Sequence, residues 1–158
     1  MQPAYRLPTD LQSVILRWES RGGLGVDTGE SALLVHANGR YTARPLPGAN
    51  VRRAGQLDST ALQGLLAEVL VQHRFATISS AAIVAQIEDI SQRTGRLFKM
   101  MDGGETTIEV SLPDVQHRVV LGALQAAHRL FPEVEPLQRL HAVQQRLLAL
   151  ANTARPPA

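Results

Sequence analysis

Alternation of apolar and polar positions is clearest from Glu105 to Leu121, ETTIEVSLPDVQHRVVL. Thr106, Ile108, Val110 and Leu112 fall on one side of a strand, and Val115, His117 and Val119 on one side of a second. Pro113 and Asp114 supply the turn between them. Closing that turn predicts Ser111 opposite Gln116, Val110 opposite His117, Glu109 opposite Arg118 and Ile108 opposite Val119. Apolar residues then share one face, while an opposite-charge pair sits on the other. A hairpin with one greasy face requires a cover, and helical periodicity flanks it on both sides.

Upstream, residues 12–19 (QSVILRWE) read as a strand, with Val14, Leu16 and Trp18 on one side and Ser13, Arg17 and Glu19 on the other. SALLVHA runs into Asn38-Gly39 and returns as RYTAR; a tight turn there sets His36 opposite Tyr41 and Leu34 opposite Ala43. If Tyr41 and Ala43 face inward, Arg40, Thr42 and Arg44 stand together on the solvent side. The period then changes. Asp58 suits an N-cap before a stripe of Leu62, Leu65, Leu66, Val69 and Leu70, ending near His73. Ser80 is expected to cap a second helix bearing Ile83, Val84, Ile87 and Ile90, stopped at Gly95. A short helix follows Leu121 up to about Phe131, where Pro132 ends it. Leu137, Leu140, Leu147 and Leu148 mark a last helix to about Asn152.

The order β-β-β-α-α-β-β-α-α predicts an α+β fold. Its mainly antiparallel sheet is built from two hairpin regions and covered on one face by about four helices. Residues 1–158 suit one domain, with an N-terminal arm at 1–10, a connector at 45–56 and a frayed tail at 153–158.

Charge changes this picture little. A sequence pI of 9.7 accompanies a net charge of only +2, because all but Lys99 of the 16 basic residues are arginine. No block of one sign and no basic run interleaved with aromatics appears, so nucleic acid is not the expected partner. No apolar run is long enough to span a membrane, and the opening MQPAYRLPTD lacks the apolar core of a secretory signal. The absence of cysteine removes disulfides, thiolate metal ligands and cysteine nucleophiles.

Three constellations offer chemistry. Asp27-Thr28-Gly29 resembles the active-site triplet of retroviral-type aspartic proteases, in which two protomers each contribute a carboxylate. Val120-Leu121-Gly122 before a helix resembles that family's second motif. The resemblance implies a homodimeric peptidase using Asp27. Against it, Gly22, Gly23 and Gly25 occupy the place of an apolar strand, and Glu30 stands where a small residue is usual; a turn in a glycine-rich loop is the reading favoured. His36, His73 and His117 form the trio for a metal site, although none has the local spacing that builds one, and no metal or other cofactor is expected. Arg40, Arg44, Arg52 and Arg53 offer a positive surface to an acidic partner.

A broader likeness covers LDSTALQGLLAEVLVQHRF from Leu57 to Phe75, then TGRLFKM, ETTIEVSL, QHRVV and FPEVEPLQRLHAVQQRLLAL. In order and spacing these segments resemble a family of small bacterial α+β domains of planctomycete type, found mostly in exported proteins and without an established activity. The resemblance implies an exported or periplasmic setting and an accessory or binding role; it brings no catalytic residues. Together these readings favour a non-enzymatic domain that binds a protein or the cell envelope through the outer face or edge of its sheet. Homo-oligomerisation is compatible with this reading.

Overall fold

The computed structural model describes residues 4–21, 31–44, 52–96 and 104–156. They form an α+β fold around a six-stranded antiparallel sheet: β1 (Val14–Arg21), β2 (Ser31–His36), β3 (Arg40–Ala43), β4 (Arg53–Gln56), β5 (Glu105–Ser111) and β6 (Gln116–Gly122). In space the strands run β4-β3-β2-β1-β5-β6. The later hairpin has the predicted register, with Ser111, Val110, Glu109 and Ile108 facing Gln116, His117, Arg118 and Val119. β5 then docks antiparallel on β1, Leu16 meeting Val110 and Trp18 meeting Ile108. One row of the helix-side face therefore reads Ala43, Leu33, Trp18, Ile108, Val119, and every member is buried.

Helices α1 (Ser59–Ala67), α2 (Ser80–Thr94), α3 (Leu124–Leu130) and α4 (Glu135–Asn152) cover that face. α1 starts where Asp58 accepts a hydrogen bond from the Ala61 N–H at 2.7 Å, satisfying one of the orphan donors of a helix N-terminus. It continues through a π-helical turn, Glu68–Gln72, and a 3-10 turn, Phe75–Thr77. Leu62, Leu65, Leu66 and Val69 of this run join Ile83, Ile87 and Ile90 of α2 in a single buried cluster with the strands. The same cluster takes Leu137, Leu140, Val143 and Leu147 from α4. At about 1.5–3 kcal/mol for each fully buried aliphatic side chain, this cluster supplies the main term holding helices to sheet.

Several sequence expectations need correction. The Asn38-Gly39 turn closes one residue wider than predicted: Val35 faces Tyr41, Leu34 faces Thr42 and Leu33 faces Ala43. Gly39 at φ +87° donates to the His36 carbonyl at 2.9 Å, the geometry of a three-residue loop with a left-handed glycine. That one-residue difference moves His36 to the opposite face from Tyr41. Ser79, not Ser80, caps α2 through the Ala82 N–H. The connector contains a strand, β4, whose apolar content is too low to announce itself.

Described residues near each end of the chain are tied to the body of the fold. Tyr5 exchanges hydrogen bonds with the Gln63 side chain on α1, at 2.7 and 3.0 Å. Arg155 pairs with Ala54 of β4 through two backbone hydrogen bonds, at 2.9 and 2.8 Å. Thr153 meets the Tyr41 hydroxyl at 2.6 Å, and Ala154 is buried. Thr153 to Arg155 are thus docked against β3 and β4.

Candidate functional site

The surface turned away from the helices carries the charge. Antiparallel pairing puts Ala54, Thr42, Leu34, Arg17, Glu109 and Arg118 in one row across that face. Arg17 reaches Glu19 on its own strand at 3.2 Å, so the middle of the face is mixed in sign. The β3–β4 corner is different. Strand alternation places Arg40 and Arg44 on the outer side, Arg52 beside them just before β4, and Arg155 alongside Ala54. β2, β3 and β4 contain no Asp or Glu, while Arg44 and Arg52 each already engage a neighbour and Arg40 and Arg155 are both exposed. Arg53 lies opposite Ala43 and so on the helix side, separated by the pleat from Arg40, Arg44, Arg52 and Arg155.

Arg155 was invisible to sequence reasoning as a member of this group. It stands about a hundred residues beyond Arg52 in a Pro-flanked tail, and only its bridge to Ala54 brings it there.

The three histidines proposed as metal ligands are not brought together. His36 sits on the outer face, its Nδ1 2.7 Å from the Gln12 carbonyl. His117 faces inward on β6, three strand spacings or roughly 14 Å away, its Nε2 2.6 Å from the Ile78 carbonyl and its ring edge-on to Phe75. His73 ends the π-helical turn. Among the described residues no three His, Asp or Glu side chains gather as a metal set would. Asp27, with its triplet, lies outside the described residues.

Two polar constellations pass unannounced in the sequence. His128 on α3 and His141 on α4 stack with centroids 3.6 Å apart and planes 7° from parallel. Gln138 lies 2.6 Å from the His128 Nδ1, and Gln125 and Gln145 each lie 3.3 Å from the His141 Nε2. Burial, followed by the charges of His128 and Arg129, pulls the His141 imidazole below its ordinary value. The second is Arg139 on α4. It donates to the carbonyls of His73 and Arg74 and to the Thr77 hydroxyl at 2.9–3.1 Å, while its Nε holds Glu135 at 2.7 Å. This fork locks the left-handed turn at Arg74 (φ 48°) to the last helix.

No protein-family model, curated protein or solved structure matches the chain. Among the described residues no helix is long and apolar enough to cross a membrane.

Proposed function

We propose that this chain is a non-catalytic binding domain that presents the arginine corner of its open sheet face to an acidic protein surface. The observation that carries the reading is the convergence of Arg40, Arg44, Arg52 and Arg155 on one face. They come from separate chain segments, on a molecule whose net charge is only +2. Gathering like charges opposes folding slightly and steers an oppositely charged partner. Guanidinium groups also offer paired donors that match carboxylates in two-pronged fashion. An accessory role in an exported or envelope-associated bacterial protein is part of the same proposal, supported by the family resemblance of the segments from Leu57 to Leu150.

The test is titration of the full chain with a fluorescent oligo-glutamate peptide, comparing it with the double variant Arg40→Glu/Arg155→Glu. Both residues are exposed, so melting temperature is expected to hold. Binding should be saturable and salt-sensitive, and the double variant should weaken it roughly five- to thirtyfold, from about 1–2 kcal/mol of lost surface attraction. Equal weakening by Arg129→Glu, which lies on α3 instead, sinks the assignment to the corner. Preference for anionic lipid vesicles over the peptide would replace the acidic protein with a membrane surface.

A further inference from the structure

The two edges of the sheet are treated differently. β4 is four residues long, and the tail crosses it at Arg155. β6 is seven residues long and pairs with β5 in unbroken register, without a bulge, a proline or a lysine. Among the described residues no strand pairs with its other side. Alternate residues of such a strand turn their N–H and C=O groups outward, which is a template for another extended chain.

A hollow of about 380 Å³ adjoins this edge, lined by Ser80, Ala81, Val84, Ala85 and Glu88 of α2 and by Val120, Leu121 and Gly122 of β6. Val120 and Leu121 point to opposite faces of the sheet, so a hollow touching both runs along the strand's edge and not over either face. Its lengths agree from both walls. Three residues of strand span about 10 Å, and Ser80 to Glu88 of helix spans about 12 Å. The helical wall is low and apolar, since Ala81 and Ala85 are exposed and Val84 is half-buried. Glu88 closes one end and makes no ion pair with another described residue. Arg118, on the outer side of the same strand, stands across from Glu109 without closing an ion pair with it or another described residue, so its guanidinium can still meet a further carboxylate.

We infer that the slot between α2 and β6 receives one extended segment of a partner protein, which adds to the sheet as a seventh strand. Main-chain hydrogen bonds to β6 supply the attraction, and alternate side chains supply the choice. Those facing α2 are small and apolar, to fit against Ala81, Val84 and Ala85. The segment carries a basic residue where it passes Glu88 and an acidic one toward Arg118, and this charge order fixes its direction. A second copy of this chain is a poorer fit. Edge-to-edge pairing centred on Val119 would set Arg118 of each copy against Val120 of the other, with no charge pair gained. The α2 helices of both copies would also compete for the same strand-wide slot. The site lies at the opposite edge from the arginine corner and does not depend on it.

The experiment titrates the full chain with a peptide of about eight residues alternating valine and threonine, with arginine at one end and glutamate at the other. Controls carry reversed end charges or N-methyl groups on alternate residues. The inference expects saturable binding that falls about tenfold or more on N-methylation, which removes the edge hydrogen bonds. Ala85→Arg, exposed on the helical wall, should abolish binding without moving the melting temperature. Glu88→Arg should invert the end-charge preference by about two- to fivefold. Absence of saturable binding, equal binding of the N-methylated peptide, or indifference to Ala85→Arg overturns it. So does a concentration-dependent dimer that Ala85→Arg dissolves, since a second copy would then be the occupant.

Discussion

Two glycines should respond to the same substitution with opposite signs. Gly64 lies inside α1 on its exposed side, and a methyl group built there meets no atom within 4 Å. Alanine at that position restricts the unfolded chain and clashes with nothing, so Gly64→Ala should add about 0.5–1 kcal/mol. At about 2–4 °C per kcal/mol for a chain of this size, melting rises by roughly 1–4 °C. Gly55 pairs with Tyr41 across β3 and β4, and a methyl group there would overlap the tyrosine ring at its Cζ and hydroxyl. Tyr41 is only 5% exposed, so its ring has little room to retreat. Its hydroxyl also sits 2.6 Å from Thr153, which donates to the Leu150 carbonyl and so anchors the end of α4. Overpacking costs about 1–3 kcal/mol and the displaced hydrogen bond about 1 more. Gly55→Ala should therefore destabilise by about 2–4 kcal/mol, a fall of roughly 4–16 °C. Urea unfolding followed by circular dichroism measures both variants. In a double-mutant cycle Tyr41→Val should relieve most of the Gly55→Ala penalty, because it removes the ring that clashes. A Gly55→Ala protein within about 0.5 kcal/mol of the parent, or a penalty unchanged in the Tyr41→Val background, refutes this account of the β4 edge.

Arg139→Met keeps much of the aliphatic stem and removes the donors to His73, Arg74 and Thr77; it should cost about 2–3 kcal/mol in urea unfolding, and a loss under about 0.5 would show the fork to be incidental. Asp58→Ala should cost about 1 kcal/mol by freeing the Ala61 N–H, while Asp58→Asn should recover most of it; equal stability of all three proteins would rule out the cap. Because the folded state holds His141 below its ordinary value near 6.5, the unfolded chain takes up the proton first on acidification. Stability should thus decline as pH falls through that value. Thermal melts between about pH 7.5 and 5.5 should fall less steeply for His141→Gln than for the parent, and parallel pH profiles would contradict the stacked-pair argument.

What the sequence determined by itself was whatever its periodicity encodes over short spans. Alternation around Pro113-Asp114 specified the β5–β6 register, since a one-residue slip would have turned every apolar side chain to water. Spacing of Leu62, Leu65, Leu66 and Val69 and of Ile83, Ile87 and Ile90 located two helices and their buried faces. Asp58 and Gly95 marked boundaries because orphan backbone groups demand particular chemistry there. Tertiary structure decided everything that rests on partners distant in the chain. β4 is a strand only because β3 and Arg155 complete its hydrogen bonds; the residues Arg-Ala-Gly-Gln have no apolar face to declare. The wider turn at Gly39 was settled by inward packing of Val35 and Tyr41, which outweighed the local preference for a two-residue loop. The same holds for the His128–His141 stack, the arginine corner and the slot beside β6. Each joins residues on separate elements, and no periodicity within one element records how two elements approach.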